Sequence, residues 1–260
     1  MSDGQGLLAE ARFPRASAYD AEWILANQMG PNALWLTEWL AEAMDLRPGM
    51  RVLDLGCGKA LSSVFLAREC GVQVWAADLW IAPTDNWARI RERGVADRVF
   101  PLRAEAHALP FAEGFFDAIV CVDAYAYFGT DDLYLSSLHR FVGEGGEIGI
   151  VVPGLMRDID GPLPEHLTRR QASGGVFWGP DCWSLHTAEW WRRHWARTGL
   201  VDVQVADTLE GGIDLWRRWD RAVQASGHAH FPSDAEVLEA DGGRYLGFVR
   251  MVASRGSNTP

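Results

Sequence analysis

An alternating α/β fold on a mostly parallel sheet is predicted by three observations. Apolar strand-like runs alternate with helical patterns along nearly the whole chain, as expected of strands joined by crossover helices on both faces of a sheet. The first strand, Arg51-Val52-Leu53-Asp54-Leu55, runs straight into a turn with glycine at two alternate positions, Gly56 and Gly58. A second apolar run, Val72 to Ala77, ends in Asp78, twenty residues after Gly58. That spacing sets a carboxylate at the tip of the strand beside the glycine turn.

The elements follow in order. Strands are predicted at 51–56, 72–77, 98–102, 116–122, 146–152, 200–206 and 244–252. Helices are predicted near 20–28, 31–44, 60–70, 85–93, 131–141, 187–198 and 213–225. Gly30-Pro31 ends one helix and opens the next, with proline in a first turn that needs no amide donor there. The run Ala60 to Ala67 is mostly apolar, so its helix is buried, and its first amides point at the glycine turn. Thr130-Asp131-Asp132 reads as a helix cap with acids that favour the dipole. Trp35 and Trp39, four apart, face the core, as do Trp191 and Trp195, and Trp216 and Trp219 read as packing residues.

Two regions stand outside this core. The helical pair 19–44 reads as a cap. Residues 153–186 hold Pro153, Pro162, Pro164 and Pro180 and little regular pattern, and they follow the fifth strand. A stretch of that length is expected to be a lid or substrate-facing insertion, with an ordinary surface loop as the alternative. Residues 1–14 and 254–260 are expected to be loosely ordered.

Composition narrows the class. A chain of 260 residues, 48% hydrophobic, is expected to form one large domain spanning 1–260. No run reaches the roughly 18 apolar residues of a membrane span, and the start lacks a secretory pattern. Cys57, Cys70, Cys121 and Cys182 are scattered, without paired spacing. These features predict a cytoplasmic protein without stable membrane association. The formal net charge of −11 argues against nucleic acid as a partner. No His/Cys cluster suggests a metal. The oligomeric state is left open.

The glycine turn lets the backbone approach a ligand closely, and Asp78 can accept hydrogen bonds from both hydroxyls of a ribose. The pair reads as a nucleoside site. A dinucleotide fingerprint would continue to a third glycine, yet Lys59-Ala60-Leu61 follows. Asp54 also sits where a diphosphate would meet negative charge, and suits a cationic amino group instead. Cys57 reads as a small side chain that lets the ligand pass, with no base beside it in sequence.

The stretch 51–58, with Asp78 and 105–111, closely resembles the class I S-adenosylmethionine (SAM) methyltransferases. The likeness extends more loosely over residues 20–253, toward small-molecule enzymes of the ubiquinone-biosynthesis and cyclopropane-synthase-like groups. It implies a Rossmann-like sheet of seven strands, the last inserted antiparallel, with SAM as cofactor and a small molecule as methyl acceptor. It further implies cofactor contacts by Asp54, Gly56, Cys57, Gly58 and Asp78, with Leu79 and Trp80 on the adenine face. Glu105 or the Ala106 amide would meet the adenine amino group. Asp123, ending the fourth strand, would line the reaction chamber or hold the methionine part. Tyr125, and less so Tyr127, would offer a ring to the sulfonium, with core packing after the strand as the other reading. Tyr19, Asn27 and Met29 would close the cap over the cofactor. The Asn/Asp-Pro-Pro-Tyr/Phe motif of enzymes methylating nucleic acid bases is missing from 121–128.

Methyl transfer is an in-line displacement whose rate comes largely from positioning and exclusion of water. A hydroxyl or ammonium acceptor also needs a proton acceptor. Of seven histidines, His186 at the junction of insertion and helix is the candidate base, with helix capping or a structural hydrogen bond as its other reading. His107 lies near the adenine end, and His228 and His230 in a late loop. Trp178 and Trp183 could form an aromatic pocket for a planar or cationic substrate or simply pack. Two other functions stay open at this point: cyclopropane-synthase-like lipid modification, and a SAM-binding sensor without turnover.

Overall fold

The computed structural model describes residue 6 and residues 8–256. Seven strands form one sheet: β1 (Arg51–Leu55), β2 (Gln73–Asp78), β3 (Val99–Arg103), β4 (Phe116–Val122), β5 (Val142–Leu155), β6 (Val201–Thr208) and β7 (Leu246–Arg255). Their order is β3-β2-β1-β4-β5-β7-β6. The first five run parallel, and β7 lies antiparallel between β5 and β6. The expected seven strands and the antiparallel insertion are both present. Chain order reverses between β1 and β4, so their carboxyl ends leave a crevice, the usual ligand position of such sheets.

Helices cover both faces, which is why Val52 to Leu55 are all buried rather than alternating. On one face lie α1 (Ala21–Ala26), α2 (Ala33–Ala41), α3 (Leu61–Glu69) and α8 (Gly212–Ser226). The other face is covered by α5 (Tyr134–Leu138) and α7 (Ala188–Ala196). Helix α3 is buried from Leu61 through Ala67, as its apolar run requires. Helix α4 (Pro83–Glu92) starts with proline in its first turn and buries only Asn86 and Ile90.

Several boundaries differ from expectation. Strand β5 extends to Leu155, so the first three residues of the expected lid are strand; Pro153 falls beyond the last pair with β4, Val122↔Val151. The helix expected over 131–141 shortens to α5 and ends in a 3-10 turn, His139–Phe141. Two short helices had no sequence signal, α6 (Glu165–Thr168) and α9 (Ala235–Asp241). The segment before residue 14 is not loose where it is described, because Leu8 and Phe13 are buried. At the other end β7 runs to Arg255, and residues 1–5, 7 and 257–260 lie outside the described residues.

The insertion after β5 has its own small core. Leu155 and Leu167 pack with Ile213, Val237, Leu238 and Leu246, with Phe177 and Trp178 against them. Buried Asp241 holds this pad together. Its Oδ2 accepts from the amides of Gly243, Tyr245 and Leu246, and its Oδ1 lies 3.0 Å from His166 Nε2. The cap is tied to α8: Trp219 Nε1 donates to Gly30 O at 2.8 Å, and Gln28 Nε2 donates to His228 O at 2.9 Å. No helix among the described residues is long and apolar enough to cross a membrane.

Candidate functional site

A cavity of about 470 Å³ opens at the β1/β4 crevice. Its floor is the glycine turn. Gly56 and Gly58 both have positive φ, +72° and +53°, for different reasons. At Gly56 a Cβ would come within 2.5 Å of Ala124 Cβ, so this glycine lets the turn pack on the tip of β4. At Gly58 a Cβ would reach Met29 Sδ at 3.0 Å, so this one lets the cap lie close over the turn.

The turn is held from three sides. Gly56 and Cys57 donate their amides to Ala77 O at 2.8 and 3.1 Å. Asp78 Oδ2 accepts from Gly58 N at 2.8 Å, while its Oδ1 accepts from Trp80 N and Ile81 N at 2.8 and 2.9 Å. Asn86 Nδ2 donates to Gly58 O at 2.8 Å. Behind Asn86 stands Arg89, which donates to Asn86 Oδ1 and, through Nε, to Asn27 Oδ1 at 2.8 Å. This relay joins α4, the glycine turn and the end of α1.

Among the sequence-predicted residues, Asn27, Met29, Gly56, Cys57, Gly58, Asp78, Leu79, Trp80, Glu105, Ala106 and Asp123 all line the cavity. Trp80 is 72% exposed, an unusual state for tryptophan and one that leaves its face available to a flat ligand. The Glu105 carboxylate is engaged by its neighbour: Oε2 accepts from His107 N, and Oε1 lies 2.8 Å from His107 Nδ1. That hydrogen bond lowers the Glu105 pKa. Burial pushes the Cys57 thiol well up, so it is no nucleophile at neutral pH.

Four expectations are corrected. Asp54 is fully buried and does not line the cavity, because its Oδ2 accepts from Ser62 and Ser63 hydroxyls of α3 at 2.6 and 2.5 Å. Desolvation raises its carboxyl to about 6. Tyr125 is buried among Phe128, Tyr134, Trp191 and Trp195, and Tyr127 lines the cavity in its place. His186 is stacked on Trp190 at 3.6 Å, away from the cavity lining, and burial lowers its pKa to about 4. Tyr19 stacks on Trp23 and Phe65 and donates to Glu69 at 3.0 Å, outside the cavity.

Other lining residues had no place in the expected site: Gly30, Lys59, Phe128 and Asp181. Asp181 comes from the insertion, which therefore reaches the cavity. Asn86 and Arg89 were also missed, since polar residues on an exposed amphipathic helix read as a solvated face. Asp123, which the sequence did place here, is the notable member of the lining. It has φ +58°, a left-handed conformation rare outside glycine, and burial pushes its carboxyl up to about 7.

Residues 52–146 match the family model described as a methyltransferase domain. That span runs from β1 into β5 and includes the glycine turn, Asp78 and Asp123. In that segment, and in its strand order, the chain is similar to methyltransferases. It is 33% identical over 128 residues to the methyltransferase GfsG of Streptomyces halstedii, covering 48% of this chain and 46% of that one. To the ubiquinone/menaquinone biosynthesis C-methyltransferase UbiE of Yersinia pestis it is 27% identical over 175 residues, 64% of each chain. The chain spans about half the length of the curated relatives it matches. In fold it is similar to geranyl diphosphate C-methyltransferase from Streptomyces coelicolor, with a TM-score of 0.62, 17% identity, and coverage of 85% of this chain and 78% of that one.

Proposed function

We propose that this protein transfers a methyl group from SAM to a small-molecule acceptor. The observation that carries the reading is the Asp78 carboxylate, which clamps Gly58 of the turn and faces the cavity at the β1/β4 crevice. The cavity lies within the usual range for a ligand of this size, roughly 300–1,000 Å³. A carboxylate has about four acceptor sites. Three are taken by backbone amides, leaving one for a ribose hydroxyl. Leu79 and Trp80 supply an apolar wall for adenine, with Ala106 opposite, and the start of α3 presents amides that its own helix cannot use.

When bound, the cofactor supplies a methyl carbon made electrophilic by its sulfonium. The chain's part is to orient and to exclude water. Met29 covers the glycine turn and Gly30 lies against Asp123, and Trp219 and Arg89 fix the two sides of that strap. Tyr127 and Asp123 border the space where an acceptor would sit. With Tyr125 and His186 away from the cavity, Asp123 is the proton acceptor in this reading. In the same reading the described residues work as one domain, in the cytoplasm, with no nucleic-acid partner.

Calorimetric titration tests the reading: SAM should bind and a nicotinamide dinucleotide should not. The reverse result would overturn it. Incubation with methyl-labelled SAM and a metabolite extract should then label a small molecule. Binding with no transfer would favour a sensor.

A further inference from the structure

The acceptor side of the cavity is uneven in charge. Asp123 lies at the end of β4 with its amide tied to Val151 O at 2.8 Å and its backbone left-handed. Such strain persists only where the surroundings enforce it, and it clusters at ligand sites. The residue is half-buried, and its carboxylate has no hydrogen-bond donor or cation against it among the described residues. One of its oxygens lies so close to Gly30 that no side chain would fit there. A half-buried carboxylate without a partner carries a desolvation cost, and a ligand donor would relieve it.

A second carboxylate lines the same cavity. Asp181 sits in the 3-10 turn Pro180–Ser184 of the insertion. Tyr127, 61% exposed, lines the same cavity, and desolvation first, then the charges of Asp123 and Asp181, push its hydroxyl up to about 12. The cationic side chain in the lining is Lys59, which follows the glycine turn and directs Nζ toward Ala26 O at 3.4 Å. His107 is occupied by Glu105. Acids and the rings of Tyr127 and Phe128 therefore border the acceptor space, a combination that favours a cation.

We propose that the methyl acceptor is a small amine, bound as its ammonium between Asp123 and Asp181 against the Tyr127 ring. This deepens the methyltransferase reading and rests on it. The ammonium gives one proton to the Asp123 carboxylate, which frees the nitrogen lone pair. That pair forms the N–C bond as the donor S–C bond breaks with its electrons staying on sulfur. A methylammonium and a neutral thioether result.

The test is titration of the protein saturated with S-adenosylhomocysteine, using 2-phenylethylamine and tryptamine against the matching alcohols, 2-phenylethanol and tryptophol. Each amine should bind at least about tenfold more tightly than its alcohol, the value of one charge-assisted contact. Asp123→Asn should abolish that preference and Asp181→Asn should reduce it, while S-adenosylhomocysteine affinity changes less than about threefold. Equal binding of amine and alcohol, or a preference that survives Asp123→Asn, would overturn the proposal. So would a loss of S-adenosylhomocysteine affinity in Asp123→Asn as large as the loss of amine affinity, because the carboxylate would then serve the cofactor's own amino group. Failure of S-adenosylhomocysteine to bind the unaltered protein would instead sink the cofactor reading. The amine and alcohol titrations on the protein alone would still decide this one.

Discussion

Replacing Asp78 by asparagine isolates what its second oxygen does. The carboxylate satisfies backbone donors on both sides, Gly58 N on Oδ2 and Trp80 N with Ile81 N on Oδ1. Asparagine has one acceptor oxygen. Its better orientation keeps the pair at Trp80 and Ile81 and turns an NH₂ group toward Gly58 N, donor against donor. The glycine turn then loses one charge-assisted bond, worth about 1.5–3 kcal/mol, and moves off its position. Since Asp78 lines the cavity, cofactor affinity should fall by roughly 10- to 150-fold. Calorimetry with SAM reads the affinity, and urea unfolding in its absence separates binding from stability. The variant should unfold at lower urea and bind weakly. An Asp78→Asn protein that is folded and binds SAM as tightly as the parent would refute the assignment of this carboxylate.

Other substitutions address the corrected residues and the turn. Gly56→Ala forces a Cβ to 2.5 Å from Ala124 at φ +72°, so it should weaken SAM binding and lower the melting temperature together; an unchanged variant would show that the turn does not pack on β4 as described. His186→Ala removes a ring stacked on Trp190 and should lower thermal stability by about 1–3 kcal/mol with turnover retained. Loss of turnover in a stable His186→Ala protein would return that histidine to the mechanism. Burial holds Asp54 at about 6, above its ordinary 3.8, so the stability it contributes is complete below about pH 4 and lost as pH rises through 6. Asp54→Asn, neutral at every pH, lacks this dependence. The stability difference between parent and variant in urea should therefore shift by about 2.5 kcal/mol between pH 4 and pH 8 in favour of the variant.

How much of this could be read from the chain depends on how far away each residue's partners lie. The glycine turn and Asp78 were legible because adjacent strand tips bring them together, Leu55 pairing with Ala77 at the turn itself. The choice between Tyr125 and Tyr127 was not. Both lie in one 3-10 turn, where residues two apart face directions a third of a turn apart. Which of them goes inward is set by Trp191 and Trp195, more than sixty residues later. His186 looked like a base from its position at the end of the insertion, yet the helix that follows supplies Trp190 to stack on it. Asp54 was read by the charge it could offer a ligand, whereas Ser62 and Ser63 of the next helix had already claimed it.

The same division separates the two halves of the site. The matched family segment, 52–146, contains the glycine turn, Asp78, Glu105 and Asp123, and these are positioned by neighbouring strands. The strap over the cavity is placed by Trp219 and Arg89, and Asp181 by an insertion whose core depends on α9. Trp219, Asp181 and α9 lie beyond the matched segment, and the strap lies before it. Cofactor binding is thus built from local strand-tip geometry, which a short motif can announce. In the proposed site, acceptor choice would rest on long-range packing between α1, α8 and the insertion, where each contributing residue looks ordinary in its own stretch of chain. Changes in acceptor specificity should accordingly arise from substitutions at Met29, Tyr127, Asp181 and their supports, with the glycine turn left intact.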